Sequence, residues 1–294
     1  MALTIRYVSD CKLGKRYFVL TWRLLSSIVM QTYLLVALLI VACHTPESPS
    51  NSSYSMTDSS DKSTDSIPAV TLNKKALLGQ INPTWDSDFA LIDTQYTDKE
   101  AIYLRKQAYE AFVKMARAAQ EAGIALRIVS ATRNFAAQQR IWEAKWNGQR
   151  KVAGEDLSQT IPKPKKRALK ILEYSSMPGT SRHHWGTDVD LNALSNDYFA
   201  AGEGRKVYDW LRENAATYGF CQVYTEQGRD RPAGYQEEKW HWSYMPLASR
   251  FLQQYNATVS YDDLGGFDGG EVAEEVDAIR KYVNGIAPPC KDWQ

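Results

Sequence analysis

Histidine is scarce in this chain: four among 294 residues, at His44, His183, His184 and His241, so chemistry that needs imidazole has few places to occur. An excess of one charge is also missing. Lys plus Arg number 35 against 34 Asp plus Glu, a net +1 that leaves no broad electrostatic footprint for nucleic acid. No succession of long apolar runs marks a polytopic membrane protein. The helical zinc signature H-E-x-x-H is absent, which removes thermolysin-like enzymes. What is present is ordinary globular material: 44% hydrophobic, 23% charged and 12% aromatic residues, enough for a substantial core and unlike a disordered or fibrous chain.

The first apolar run belongs to targeting rather than to the fold. Arg6, Lys12, Lys15, Arg16 and Arg23 precede apolar residues from Leu24 to Ala42, and the run closes on Ile40-Val41-Ala42-Cys43, which resembles a bacterial lipobox. That resemblance implies an export segment over 1–42, lipidation of Cys43 and membrane attachment through the lipid. An uncleaved anchor over the same apolar stretch is the alternative. His44 to Ser66 holds nine Ser and three Thr with almost nothing apolar, so residues 43–66 read as a flexible tether. Loss of 1–42 removes five basic residues and Asp10, leaving 30 basic against 33 acidic, a net charge of −3. The exported body then keeps Cys221 and Cys290. An oxidising compartment permits a bridge between them, with two buried free thiols as the alternative.

From Ile67 to the end there is no repeat and no second low-complexity stretch, so 67–294 reads as one domain, and a monomer. Thr97-Asp98-Lys99-Glu100 fits a capping box and predicts a helix that runs through Leu104, Ala108, Phe112, Met115 and Ala119 to Gly123. Ile124 to Ser130 alternates like a strand, Phe135 to Trp146 and Arg205 to Tyr218 read as helices, and short strands are expected at Asp188–Leu191 and Trp240–Tyr244. The fold class is therefore α+β, a small antiparallel sheet flanked by helices. Lys163 to Lys170 is basic enough to touch an anionic polymer, but a solvated loop and helix start is the simpler reading. Asp262 to Gly270 lacks the ligand spacing of a calcium loop and reads as a mobile loop.

Three of the four histidines fall in two short clusters, Ser181-Arg182-His183-His184-Trp185-Gly186-Thr187-Asp188-Val189-Asp190 and Glu237-Glu238-Lys239-Trp240-His241-Trp242. A catalytic zinc needs three nitrogen or oxygen ligands, an open position and a nearby carboxylate to move a proton. On a strand, Asp188 and Asp190 share one face while Val189 and Leu191 enter the core. Glu238 stands an odd step from His241, so the chain must turn there to bring both to one place. A lone histidine is usually an ordinary hydrogen-bonded residue. Two clusters of acids and imidazoles in a chain with so little histidine favour a metal site.

These residues resemble a known family. Ser181, His183, Gly186 and Asp190 stand at the spacing of the S-x-H-x-x-G-x-A-x-D motif, and Glu238, Trp240 and His241 at that of E-x-W-H, of the zinc D-alanyl-D-alanine carboxypeptidases and dipeptidases of the VanY/VanX type. Ser130-Ala131-Thr132-Arg133, followed by Gln138, is similar to the family's S-G-Y-R-S segment. The resemblance implies Zn2+ held by His183, Asp190 and His241, Glu238 as general base, Arg133 stabilising the oxyanion, and Ser181 and Gln138 holding the peptide. It also implies a hydrolase acting on terminal D-Ala-D-Ala bonds of peptidoglycan stem peptides in the bacterial cell envelope. An LD-carboxypeptidase, an endopeptidase on the same polymer, or a noncatalytic wall-binding module are the alternatives. Two of the departures from the pattern bear on the site. Thr132 replaces Tyr, and Asp188 stands where the motif has Ala, either supporting a ligand, altering substrate choice or competing with Asp190 for the metal. His184 is read as a non-ligand neighbour.

Overall fold

The structure is a computed structural model that describes residues 70–293, within the compact unit Ser63–Gln294. The export segment 1–42, Cys43 and the tether 43–66 lie outside the described residues. Among those described, no helix is long and apolar enough to cross a membrane.

The described residues open with a short helix α1 (Lys74–Leu77) and a two-stranded ribbon, β1 (Phe89–Leu91) and β2 (Tyr103–Arg105). The long helix α2 (Lys106–Glu121) follows directly. It buries Ala108, Phe112, Met115, Ala116 and Ala119, the stripe its helical period predicts, and Gly123 takes the left-handed conformation just past its end. The predicted start at Thr97 is corrected. The Thr97 hydroxyl accepts only a local bond from the Lys99 amide, and Tyr103–Arg105 pairs with Phe89–Leu91 before the helix begins. A long-range partner has won over a local capping signal.

The central sheet has the order β3 (Ile128–Ser130), β4 (Asp188–Leu191), β6 (His241–Tyr244) and β5 (Phe220–Gln222), antiparallel throughout. Of the expected strand 124–130 only its last three residues pair. Between β3 and β4 lie α3 (Phe135–Trp146), α4 (Leu157–Thr160) and α5 (Pro164–Leu172), and α6 (Gly202–Asn214) precedes β5. Helix α3 has the predicted bounds because the Asn134 side chain caps the Ala137 amide. Lys163, Lys165 and Lys166 are exposed at the start of α5, as a solvated helix end should be. The chain after β6 forms α7 (Met245–Thr258), short helical turns and α8 (Pro288–Lys291).

This last flank is fastened to the rest. Cys290 is disulfide-bonded to Cys221 of β5, so the bridge permitted by the cysteine count is formed. The expected mobile loop 262–270 is instead pinned: Leu264 and Phe267 are buried, Trp142 and Gln139 donate to the carbonyls of Asp268 and Gly266, and Asn147 donates to the Asp268 carboxylate.

Candidate metal centre

Register assembles the centre. Asp190 of β4 stands opposite His241 of β6 on one side and Ser130 of β3 on the other, so the two clusters and the start of the 130–133 segment meet at one end of the sheet. His183 arrives from a tight 3-10 turn, Arg182–Trp185, that ends at Gly186 in the left-handed region. A side chain there would be strained, and its Cβ would lie 2.4 Å from the Phe89 ring, which is the physical need behind a glycine at that motif position. Glu238 reaches the site through the turn its spacing demanded, the His241 amide donating to the Glu238 carbonyl at 3.3 Å.

His183, Asp190 and His241 place one donor atom each within 4.8 Å of one another, and all three are buried. His183 Nε2 lies 3.3 Å from Asp190 Oδ2 and His241 Nδ1 lies 3.4 Å from Asp190 Oδ1. Zinc bonds of ~2.0–2.1 Å in a tetrahedron put neighbouring donors about 3.3 Å apart, and each imidazole lies at about that distance from one of the two Asp190 oxygens. Asp190 Oδ1 is buried and accepts no hydrogen bond, an uncompensated lone pair of the kind a cation relieves. Glu238 Oε2 stands beside the trio, 3.0 Å from His241 Nδ1.

The electrostatics agree. Burial, with the Arg133 charge, lowers His183 and keeps it neutral, as a ligand must be. Burial would raise Asp190, but the neighbouring His183 and His241 rings and the Arg133 charge hold it at about 2. Burial would lower His241, yet bonds to Asp188 and Glu238 and the charge of Asp190 push it up to about 10. Three carboxylates converge on one imidazole, and the cluster draws positive charge to itself.

The side chains of the cluster are oriented from behind. His183 Nδ1 donates to the Ala131 carbonyl at 2.8 Å, which leaves Nε2 free toward Asp190, and the Arg133 amide donates to the His183 carbonyl at 3.1 Å. Glu238 is tied through its amide to the Tyr224 carbonyl, and Asn196 bonds the backbone on both sides of it, at Glu237 and Lys239. Arg133 points Nη1 at Gln138 Oε1, 2.9 Å away, with Nη2 3.8 Å from Asp190, while its Nε is buried and unpartnered. Gln138 is fully buried and also donates to the Ser176 carbonyl, so its amide props Arg133. The Ser181 hydroxyl is buried without a partner. His184 lies away from the trio. Its Nδ1 donates to the Arg133 carbonyl and its Nε2 accepts from the Gly179 amide, a clamp across the loop that carries Arg133.

Two groups of this region carry no motif signal in the sequence. Lys145 is buried on α3 and donates to Ser175 Oγ, and Tyr224 packs its ring edge-on against His241 at 4.7 Å. Lys145 repeats Gln138 at helical spacing, i and i+7, which is the signal that could have placed it on the same face.

Two imidazoles and a carboxylate that could hold one metal ion, with a second carboxylate alongside, form the kind of donor set that mononuclear hydrolytic sites use. The VanY family model, described as D-alanyl-D-alanine carboxypeptidase, matches residues 101–247, half of the chain, and the chain belongs to this family. It is 27% identical over 201 residues to YodJ of Bacillus subtilis (strain 168), named "Putative carboxypeptidase", with 66% of each chain covered. It is 35% identical over 72 residues to the D-alanyl-D-alanine carboxypeptidase of Enterococcus faecalis (strain ATCC 700802 / V583), covering 24% of this chain and 25% of that one. The chain thus spans about two thirds of the first of these relatives and a quarter of the second. Among solved structures it is similar to VanYB in complex with D-Alanine-D-Alanine, at 23% identity and TM-score 0.43, covering 61% of this chain and 93% of that one.

Proposed function

We propose that this protein is a zinc-dependent carboxypeptidase that removes the terminal D-amino acid from peptidoglycan stem peptides. The observation that carries the reading is the buried trio His183, Asp190 and His241, spaced for one zinc ion with Asp190 Oδ1 left uncompensated and Glu238 beside it. The family and its D-alanyl-D-alanine carboxypeptidase relative supply the substrate class.

The three ligands hold the metal, and bound zinc supplies a Lewis acid that acidifies water and polarises the scissile carbonyl. Glu238 is the general base. It takes a proton from the attacking water and returns it to the leaving amine, a shuttle suited to a carboxylate that is held by its backbone yet partly open, with a side chain 17% exposed. Arg133 presents a permanent charge to the carbonyl oxygen as that oxygen becomes an oxyanion. Gln138 keeps the guanidinium in place, and the free hydroxyl of Ser181 serves the peptide or its carboxylate.

Residues 67–294 form the catalytic domain in this reading, with 1–42 removed on export and Cys43 lipidated at the head of the tether 43–66, which holds a monomer at the cell envelope facing its polymer. A diacylglycerol mass on Cys43 supports the anchor, and an intact residue 1–42 segment in the mature protein defeats it. The decisive test of the chemistry is zinc content together with hydrolysis of pentapeptide and tetrapeptide muropeptides by wild type and Glu238→Gln. The variant is expected to keep its zinc and lose about 10²–10⁴-fold in turnover. An active Glu238→Gln protein removes the assigned base, and wild type that releases no D-amino acid from either substrate removes the function.

A further inference from the structure

The residue that departs from the family motif is the most heavily bonded side chain near the centre. Asp188 is fully buried. Its Oδ1 accepts from the hydroxyls of Thr187 and Ser243, each at 2.7 Å, and its Oδ2 accepts from Arg182 Nε at 3.1 Å. His241 Nε2 makes the fourth contact, 2.9 Å from the same Oδ2. Arg182 is equally buried, bonds Ser243 Oγ through Nη2 at 2.8 Å and lies over the Trp185 ring. Three of the four partners of Asp188 therefore donate, and the carboxylate has an arginine as its counter-ion. Its link to His241 has one consistent polarity, with the imidazole donating from Nε2. The other ring nitrogen, Nδ1, faces Asp190 and bonds Glu238 Oε2 at 3.0 Å, and loss of its proton to that carboxylate would free its lone pair for a metal while Nε2 keeps its own.

We infer that Asp188, charge-compensated by Arg182, is the positioning residue that fixes His241 as the Nε2–H tautomer and turns Nδ1 to the metal, a role opened by replacing the motif's alanine. A carboxylate behind a ligating imidazole both locks the ring and makes its lone pair a stronger donor. Asp190 takes the place of the ligand, paired with His241 across the sheet, and Asp188, paired with Ser243, stands behind His241 as that imidazole's partner. The Arg182 guanidinium is what allows an acid to stay ionised in an interior position where alanine would need no support. The inference rests on the zinc reading and asks for a further property of it.

The test is made on the whole exported protein with ¹⁵N-labelled histidine. In zinc-loaded wild type, ring-nitrogen NMR is expected to show His241 metallated at Nδ1, with a slowly exchanging proton on Nε2. In Arg182→Met/Asp188→Ala, where both buried charges are removed together so that neither is stranded, that proton is expected to exchange fast. Its zinc dissociation constant, from chelator competition, is expected to rise ~10–100-fold, while the metal-free melting temperature stays within a few degrees. Asp188→Asn, which keeps an acceptor but loses the charge, is expected to fall between the two. Metallation at Nε2, or a double variant that holds zinc as tightly as wild type, overturns the inference and leaves the peptidase reading intact. Wild type that takes up no zinc overturns both. The wild-type spectrum needs no variant, so it decides even if the substitutions unfold the protein.

Discussion

Asp188 and Asp190 leave the same strand on the same face, two residues apart and both buried, yet their surroundings are opposite. Asp188 meets four protein partners across its two oxygens. Asp190 has one oxygen with no hydrogen bond and another that shares His183 and Arg133 at ion-pair distance only. A buried carboxylate closed on all sides by donors is part of the scaffold. One with an oxygen that accepts no hydrogen bond, set between two imidazoles, has the surroundings of a metal ligand. The split extends outward only in part: Arg133 Nε and Ser181 Oγ are unpartnered on the open side, while on the closed side Thr187 and Ser243 are bonded but Arg182 Nη1 is buried without a partner.

The largest effect that could break this contrast comes from truncating each aspartate alone. Asp188→Ala strands the buried Arg182 charge and is expected to cost about 3–5 kcal/mol in urea unfolding of the metal-free protein. Asp190→Ala is expected to leave that unfolding nearly unchanged and to weaken zinc binding by more than the ~10–100-fold loss assigned to a supporting residue. If the two variants exchanged these behaviours, Asp188 would be the ligand. Next in size is Arg133→Lys, which keeps the charge but loses the planar fork. Turnover on muropeptides should fall about 10²-fold or more with zinc content and melting temperature unaltered. A matching loss of stability would move Arg133 to the closed side. Smaller again is His184→Phe, which keeps the ring but drops both clamp bonds. It should cost about 1–3 kcal/mol in urea unfolding and lower turnover through a loosened Arg133, with zinc affinity retained.

The sequence carried the parts of the fold that local patterns control. Alternation in Asp188–Leu191 and the cap before Phe135–Trp146 are complete within a few residues, and both elements have the predicted bounds. The start of α2 was misjudged because it depends on β1, and Arg105 is further held by the Gly186 carbonyl, 81 positions away by number and invisible to a window. The loop 262–270 reads as mobile from its glycines, but α3 binds it from more than a hundred residues upstream. At the centre, period two put both aspartates on one face and could not rank them. Strand register separates them, pairing Asp190 with His241 and Asp188 with Ser243 while both side chains reach the His241 ring, and register is fixed by pairing across the sheet rather than by either strand alone.

The smallest predicted effect concerns Lys145. This amine is buried, donates to the neutral Ser175 hydroxyl, and has no carboxylate within ion-pair distance among the described residues. Burial, helped by the charges of Arg150 and Arg133, lowers it to about 8 against an ordinary value of 10.5, even though Glu238 pulls the other way. The folded state therefore releases this proton before the unfolded chain does, and between those two values the unfolded chain binds more protons, so this group makes stability rise with pH across that window. Below pH 8 the full cost of the buried charge is present. Lys145→Met is expected to raise the melting temperature at pH 7 and to flatten the rise in stability between pH 8 and 10.5, measured by urea midpoints across that range. A variant less stable than wild type at pH 7 would show that Lys145 is compensated after all and belongs with Asp188 on the closed side.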